Sequence, residues 1–381
     1  MYRYIWDGRV QQSGINPYLY PPAAAQLKTL RDDRVFPNIN RKDDPTLYPA
    51  GAQVFFRIVY ALVGDSVSGY KGFMVFFDVI TLLLLTALLR IYEFDPSRVI
   101  VYAWNPLVIF EIAYSGHLEG LTVFLVVAAC YFLVVHKKIP GFIFLGISSA
   151  VKLYPALLFA AFTNRGSRIK GIITFCLTFM LLYLPYISAG GKVPGFLPVY
   201  LKNPFESFNL GLKYWLLDLI SGLDYYLVSQ LFIVILLAAG LVAFFKDKQG
   251  IQMIRYAYIL AGWLIVLMPA SLHPWYVILI IPFLAFYPST AWLIFTITVS
   301  LSYLKYVSPK GVMPPWILLV EYLPLFVLLT VGFIYKKMTE SGGACLEIAS
   351  LVLDGGQRTE NRNPQIDAID HQRSTRLKRI Q

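Results

Sequence analysis

Charge is scarce in this sequence. Asp, Glu, Lys and Arg make up 14% of its 381 residues, against about 25% in an ordinary soluble domain. That shortage argues against a water-solvated globular surface. Cysteine is scarcer still. Cys130 and Cys176 sit inside apolar runs and Cys345 lies in the tail, which is neither a disulfide framework nor a metal-binding spacing. No Gly-rich phosphate loop occurs, and no polar stretch is long enough to fold as a cytoplasmic nucleotide-binding domain. An enzyme with this sequence that uses an activated group would therefore take it from a lipid. The first thirty residues, polar, aromatic and Pro-rich, lack the charged start and apolar stretch of a cleavable signal peptide.

What the sequence has is long apolar runs. Phe73 to Leu89, Leu118 to Val135, Leu227 to Phe245, Ile254 to Met268 and Trp316 to Tyr335 are nearly free of charge, and mean hydropathy is +0.60. A helix rises 1.5 Å per residue, so about 20 apolar residues cross the hydrocarbon of a bilayer. Core helices of soluble proteins keep a polar face, and these have almost none. The expected fold class is an all-α polytopic membrane protein in the cell (inner or plasma) membrane. The net charge of +11 does not point to nucleic acid. Its basic residues sit in short loops and in the tail, where the positive-inside rule puts them.

Three regions are expected. Residues 1–68 read as an extracytoplasmic first loop, rich in Tyr and Trp, with an amphipathic interfacial helix over 50–63 carrying Phe55, Ile58, Val59 and Leu62 on one stripe. Residues 69–335 read as a bundle of about nine spans, at 72–91, 98–114, 118–135, 168–188, 223–245, 253–272, 275–288, 291–306 and 315–335. Segment 139–162 is flanked by basic residues on both sides. Lys152-Leu153-Tyr154-Pro155 interrupts it, so it reads as a re-entrant pair of short helices. Residues 336–381 read as a cytoplasmic, mostly disordered tail. This arrangement puts the first loop, the Gly116-His117 turn, the loop 189–215 and His273-Pro274-Trp275 on the outer face.

Ionisable residues inside spans are costly and mark function or pairing. They are Asp78, Glu111, Glu119, Lys152 and Glu321, with His117 at a span edge. An interhelical pair with Lys or Arg is the plain expectation for Glu111 and Glu321. Lys152, beside a helix break, is suited to meet a phosphate as a point charge. The first loop offers Asp7, Asp32, Asp33, Asp43 and Asp44 among Arg3, Arg9, Arg31 and Arg41. Its aromatic residues, and those of His273-Pro274-Trp275-Tyr276, suit an interfacial belt or stacking on sugar rings.

Tyr2-Arg3-Tyr4-Ile5-Trp6-Asp7-Gly8-Arg9 and Gly14-Ile15-Asn16-Pro17-Tyr18 closely resemble the first outer loop of bacterial GT-C fold glycosyltransferases, the mannosyltransferase-like enzymes that use polyprenyl-phosphate sugars. Similar motifs follow in order: Pro45-Thr46-Leu47-Tyr48-Pro49, Asn105-Pro106-Leu107-Val108, Gly116-His117-Leu118-Glu119-Gly120, Lys152-Leu153-Tyr154-Pro155, His273-Pro274-Trp275-Tyr276 and Glu321-Tyr322-Leu323-Pro324. They span about residues 1–335. The resemblance implies transfer of a mannose-like hexose from a polyprenyl-phosphate donor to a glycan or lipid acceptor, with inversion, at the outer face of the bilayer. It implies a loop carboxylate as base, and cations on the leaving phosphate: Arg3, Arg9, Lys152 and His273 here. Trp6, Tyr48, His117, Glu119, Trp275 and Tyr276 are the expected substrate contacts. No cofactor is implied beyond a possible divalent cation. In that family a transmembrane helix precedes this loop and an acid stands just before the Tyr-Arg-Tyr stretch. Here Met1 takes that place, so the expectation is a truncated start, with Asp7 or Asp44 as base. The competing expectation, a lipid or polar-solute transporter or flippase, would share the spans and Lys152 but bring inverted repeats, which the sequence does not show.

Overall fold

The computed structural model describes residues 1–202, 208–308 and 311–340. Every regular element among them is helical. The helices that frame the site are α1 (Tyr2–Gln12), α2 (Ala50–Val63), α3 (Val67–Ile91), α4 (Glu119–Val134), α5 (Lys138–Val151), α6 (Arg168–Tyr183), α7 (Tyr225–Phe245), α8 (Ile251–Val266) and α9 (Pro315–Glu340). Side-chain caps fix two of the long ones. Ser66 Oγ accepts from Gly69 N ahead of α3, and Asp224 Oδ1 accepts from Tyr226 N and Leu227 N ahead of α7.

Among the described residues, four helices are long and apolar enough to cross a bilayer: Val67–Ile91, Arg168–Lys192, Tyr225–Phe245 and Pro315–Met338. A fifth span results if Pro106–Tyr114 and Glu119–Val134, bent by 117°, count as one. Large apolar side chains stand exposed on them, among them Ile173 and Leu177 on α6, Val234 and Leu241 on α7, and Leu323 and Phe333 on α9. Such a surface is at home in lipid and not in water. The protein is an all-α, multi-pass membrane protein.

Several expected spans are shorter or broken. The stretch 98–114 divides into Pro96–Val99, Ile100–Ala103, Pro106–Val108 and a π-helical turn, Ile109–Tyr114. Asn105 caps the piece after it through Leu107 N, and Pro106 supplies no amide to continue the helix before it. The stretches 275–288 and 291–306 likewise split into short α and 3₁₀ pieces. The chain also breaks after α5, where Lys152 is extended (φ −139°, ψ 136°) before the 3₁₀ turn Tyr154–Leu158. The last helix runs through 336–340. The rest of the expected tail, 341–381, lies outside the described residues, as do 203–207 of the loop 189–215.

The first loop differs most from expectation. It begins with α1, whose residues Arg3 to Gln11 are all buried. Helix α2 has the expected bounds, but its apolar stripe is split. Phe55 and Val59 are buried while Ile58 and Leu62 are exposed, and Gln53, off the stripe, is fully buried. The face of α2 turned inward is the one that meets α1 and α5. Gly51 makes the second contact possible: a Cβ there would lie 2.7 Å from the Ala150 carbonyl carbon. Helix α2 thus rests against the last turn of α5, one residue before Lys152.

Candidate active site

A largely apolar cavity of about 640 Å³ begins at this break. Its walls come from Leu153–Ala160, from α7 and from the end of α8. Leu153, Ile233, Leu237 and Leu241 line it and are also exposed on the apolar outer surface, so it opens sideways. Its polar end is formed by Lys152, Tyr48, Tyr154 and Tyr276. Lys152 Nζ lies 5.8 Å from the Tyr48 ring centre and 5.5 Å from that of Tyr276. It stands 3.1 Å from Glu119 Oε1, with the Glu119 side chain fully buried. A groove of this size with one cation and a few polar groups at its end fits an amphiphile carrying an anionic head.

Next to Glu119 is a second polar group. The π turn and a bend at Gly116 (φ +69°), a backbone that favours glycine, fold His117 back onto the preceding helix. His117 N donates to Glu111 O at 2.8 Å, and His117 Nδ1 meets Glu111 Oε2 at 2.5 Å. The other Glu111 oxygen accepts from Tyr303 OH at 2.6 Å. Glu111 therefore pairs with an imidazole and a phenol, not with the Lys or Arg expected of it. Glu321 likewise takes its bond from Asn209 Nδ2, at 2.8 Å.

The rings of Phe208, His273, Trp275 and His117 follow one another at 4.6, 4.2 and 4.2 Å. Segment 208–213 holds the loop that carries His273. Phe208 N donates to Ser271 Oγ, Leu272 N to Asn209 O, and buried Lys213 Nζ to the carbonyls of Pro269 and Ala270. Enclosure, helped by Lys152, His117, Lys305 and Arg41, pushes the His273 imidazole down to about 3. At neutral pH it is uncharged. It offers a hydrogen bond or a ring face, not the cation expected for a phosphate.

Asp7 is the centre of a buried network. Oδ1 accepts from Arg3 Nε at 2.9 Å, and Oδ2 from Thr46 Oγ1 at 2.6 Å and Gln53 Nε2 at 2.8 Å. Gln11 bridges Gln53 to Tyr186 OH. Arg3 Nη1 continues to the carbonyls of Arg41 and Asp44 at 3.3 and 3.2 Å. Asp7 thus fixes, through Arg3, the turn bearing Asp44, whose own side chain is 34% exposed and lies 3.5 Å from Arg41. Thr46, Gln53, Gln11 and Tyr303 carry no charge, and nothing in their spacing singles them out.

Of the residues singled out in the sequence, Lys152, Glu119, His117, Tyr48, His273, Trp275 and Tyr276 come together. Arg9 does not join them. It pairs with Asp32 and Asp65 and donates to Leu30 O. That pairing holds the Asp32 carboxyl well below the usual carboxylate range. Trp6 is 1% exposed beneath Phe36, so its indole has no face left for a sugar. Among the described residues no group of three His, Cys, Asp or Glu could hold a metal ion.

Residues 1–164 match a family model described as alpha-(1->6)-mannopyranosyltransferase, N-terminal domain. The matched stretch includes α1, α2, His117, Glu119 and Lys152, while the His273 turn lies beyond it. The match supports a mannosyltransferase-like family and a glycosyl-transferring enzyme. Comparison with the curated proteins and with the solved structures gave no match.

Proposed function

We propose that this protein is a GT-C type mannosyltransferase of the cell membrane. It takes a mannose-like hexose from a polyprenyl-phosphate donor at the outer face and passes it, with inversion, to a glycan or lipid acceptor. The observation that carries this reading is the sideways-open apolar groove ending at Lys152. An isoprenoid chain suits the groove, and the ammonium at its polar end suits the phosphate, whose negative charge grows as the sugar departs. The family description suggests an α-(1→6) linkage, hence a primary hydroxyl on a mannoside acceptor. Trp275, packed between His273 and His117, would hold those rings in place, while Tyr276 would meet the sugar and Tyr48 would shield the phosphate.

A base must take the acceptor proton. With both oxygens of Asp7 occupied, its part is to hold the Asp44 turn in place through Arg3. Two other groups suit the proton: the Asp44 carboxylate on the loop and the His117 imidazole beside the Lys152 pair.

The test supplies polyprenyl-phosphate mannose and a methyl α-mannoside to the protein in lipid nanodiscs. Released polyprenyl phosphate and a dimannoside in equal amounts are expected. In sealed vesicles, movement of the intact donor across the bilayer without sugar transfer would instead favour a flippase.

A further inference from the structure

We propose that His117 is the base that takes the acceptor proton, with Glu111 as its positioning residue; this rests on the glycosyl-transfer reading above. Nδ1 is engaged by Glu111 at 2.5 Å. A fully buried carboxylate at that nitrogen holds the proton there and leaves Nε2 as the lone-pair nitrogen. The second Glu111 oxygen is tied to Tyr303, so the carboxylate cannot swing to the substrate and serves only to orient. The His117 side chain is itself 22% exposed, unlike the carboxylate that holds it. Local backbone points the same way. A π turn and a left-handed glycine bring His117 back onto Glu111; π turns are rare and frequent at functional sites.

The dyad is linked to the Lys152 pair on two sides. Glu119, the partner of Lys152, follows His117 by two residues. On the other side the His117 ring lies 4.2 Å from Trp275, whose neighbour Tyr276 lies beneath Lys152. A sugar bound between Lys152 and His117 would have the cation on one side and the imidazole on the other. In the step itself the acceptor oxygen bonds to the anomeric carbon as the bond from that carbon to the phosphate oxygen breaks. That electron pair leaves on the polyprenyl phosphate beside Lys152. The hydroxyl proton passes to Nε2, and the imidazolium that forms is balanced by Glu111 until water takes the proton. Asp44, by contrast, is partnered by Arg41, and a carboxylate is a weaker base than imidazole near neutral pH.

The experiment uses the full chain in nanodiscs with the same donor and acceptor. His117→Gln is expected to lower kcat by about 10²- to 10³-fold while the KM for donor changes by no more than about threefold. Imidazole added to His117→Ala should restore part of the rate, in proportion to its free base. Glu111→Gln should lower kcat and move the acid limb of its pH profile to lower pH, because the imidazolium loses its counter-charge; a structural lesion would depress the rate equally at all pH. The groups that act on the ring in that profile are Glu111, which bonds it and is itself held by Tyr303, and His273, across Trp275. A His117→Gln protein within about threefold of wild type, or a donor-binding His117→Ala protein that imidazole does not rescue, overturns the assignment. Wild-type transfer that survives His117→Gln but not Asp44→Asn returns the base to the loop. A wild-type protein that transfers no sugar overturns the transferase reading and this one with it.

Discussion

Lys152 and Glu119 stand 3.1 Å apart where the apolar groove ends, the carboxylate fully buried and the ammonium turned toward the cavity. The pair couples stability to ligand binding, because removing either partner strands a charge.

Lys152→Ala should abolish measurable sugar transfer and also destabilise the fold by about 3–5 kcal/mol, the cost of an uncompensated buried carboxylate. The two effects separate in the double variant Lys152→Met/Glu119→Gln. Thermal unfolding in detergent should return near wild type while transfer stays lost. Recovery of transfer in the double variant would remove Lys152 from the phosphate site.

Asp7→Asn keeps the shape of the side chain but removes the charge that holds Arg3. A loss of about 3 kcal/mol is expected from the unpaired guanidinium, read as a lower unfolding midpoint. Arg3 would then hold the carbonyls of Arg41 and Asp44 less firmly. Proteolysis within 31–45 should therefore speed up in the variant. An unchanged midpoint and cleavage rate would show that the Asp7 network does not brace this loop.

His273 sets a pH window for stability. Its folded value is depressed to about 3, while an unfolded imidazole titrates near 6.5. The unfolded state binds the proton first, so stability from this group is whole above about pH 6.5 and falls steadily from there toward pH 3. The unfolding midpoint of wild type should drop across that window, and His273→Gln should flatten the slope. An equal slope in both proteins would place the acid sensitivity elsewhere.

Gly240 lines the groove, and a Cβ there would meet Leu157 Cδ1 at 3.1 Å. Gly240→Leu should narrow the groove between α7 and Leu157. The KM for a long-chain polyprenyl donor should rise about tenfold or more, roughly 1.4 kcal/mol, with little change for a donor of one or two isoprene units. Equal effects on both donors would mean that the chain lies elsewhere.

Much of this was legible in the sequence and some was not. The apolar runs announced a membrane protein, and helix α2 has the bounds that its periodicity gives. The helix break at Lys152 follows from Pro155 and the flanking charges. The broken segments 98–114, 275–288 and 291–306 were not legible, because hydropathy averaged over a window does not register where a Pro or a π turn interrupts the backbone. Helix α1 was hidden for another reason. It is buried all round, with polar residues matched to Thr46 and Gln53 some forty positions away, so it shows no face. Tyr303, the partner of Glu111, lies 192 residues distant; no local pattern joins them.

The opening of the groove onto the side of the protein, past Leu237 and Leu241, has a kinetic consequence. Whatever occupies it arrives by two-dimensional diffusion among lipids, so its effective concentration is a mole fraction of the bilayer and not an amount per litre. Diluting the vesicles at fixed composition should leave turnover per protein unchanged, whereas diluting the donor with inert lipid should slow it. A freely soluble headgroup, lacking a tail to bring it into that plane, would be a poor competitor however well it matched the cation at the far end.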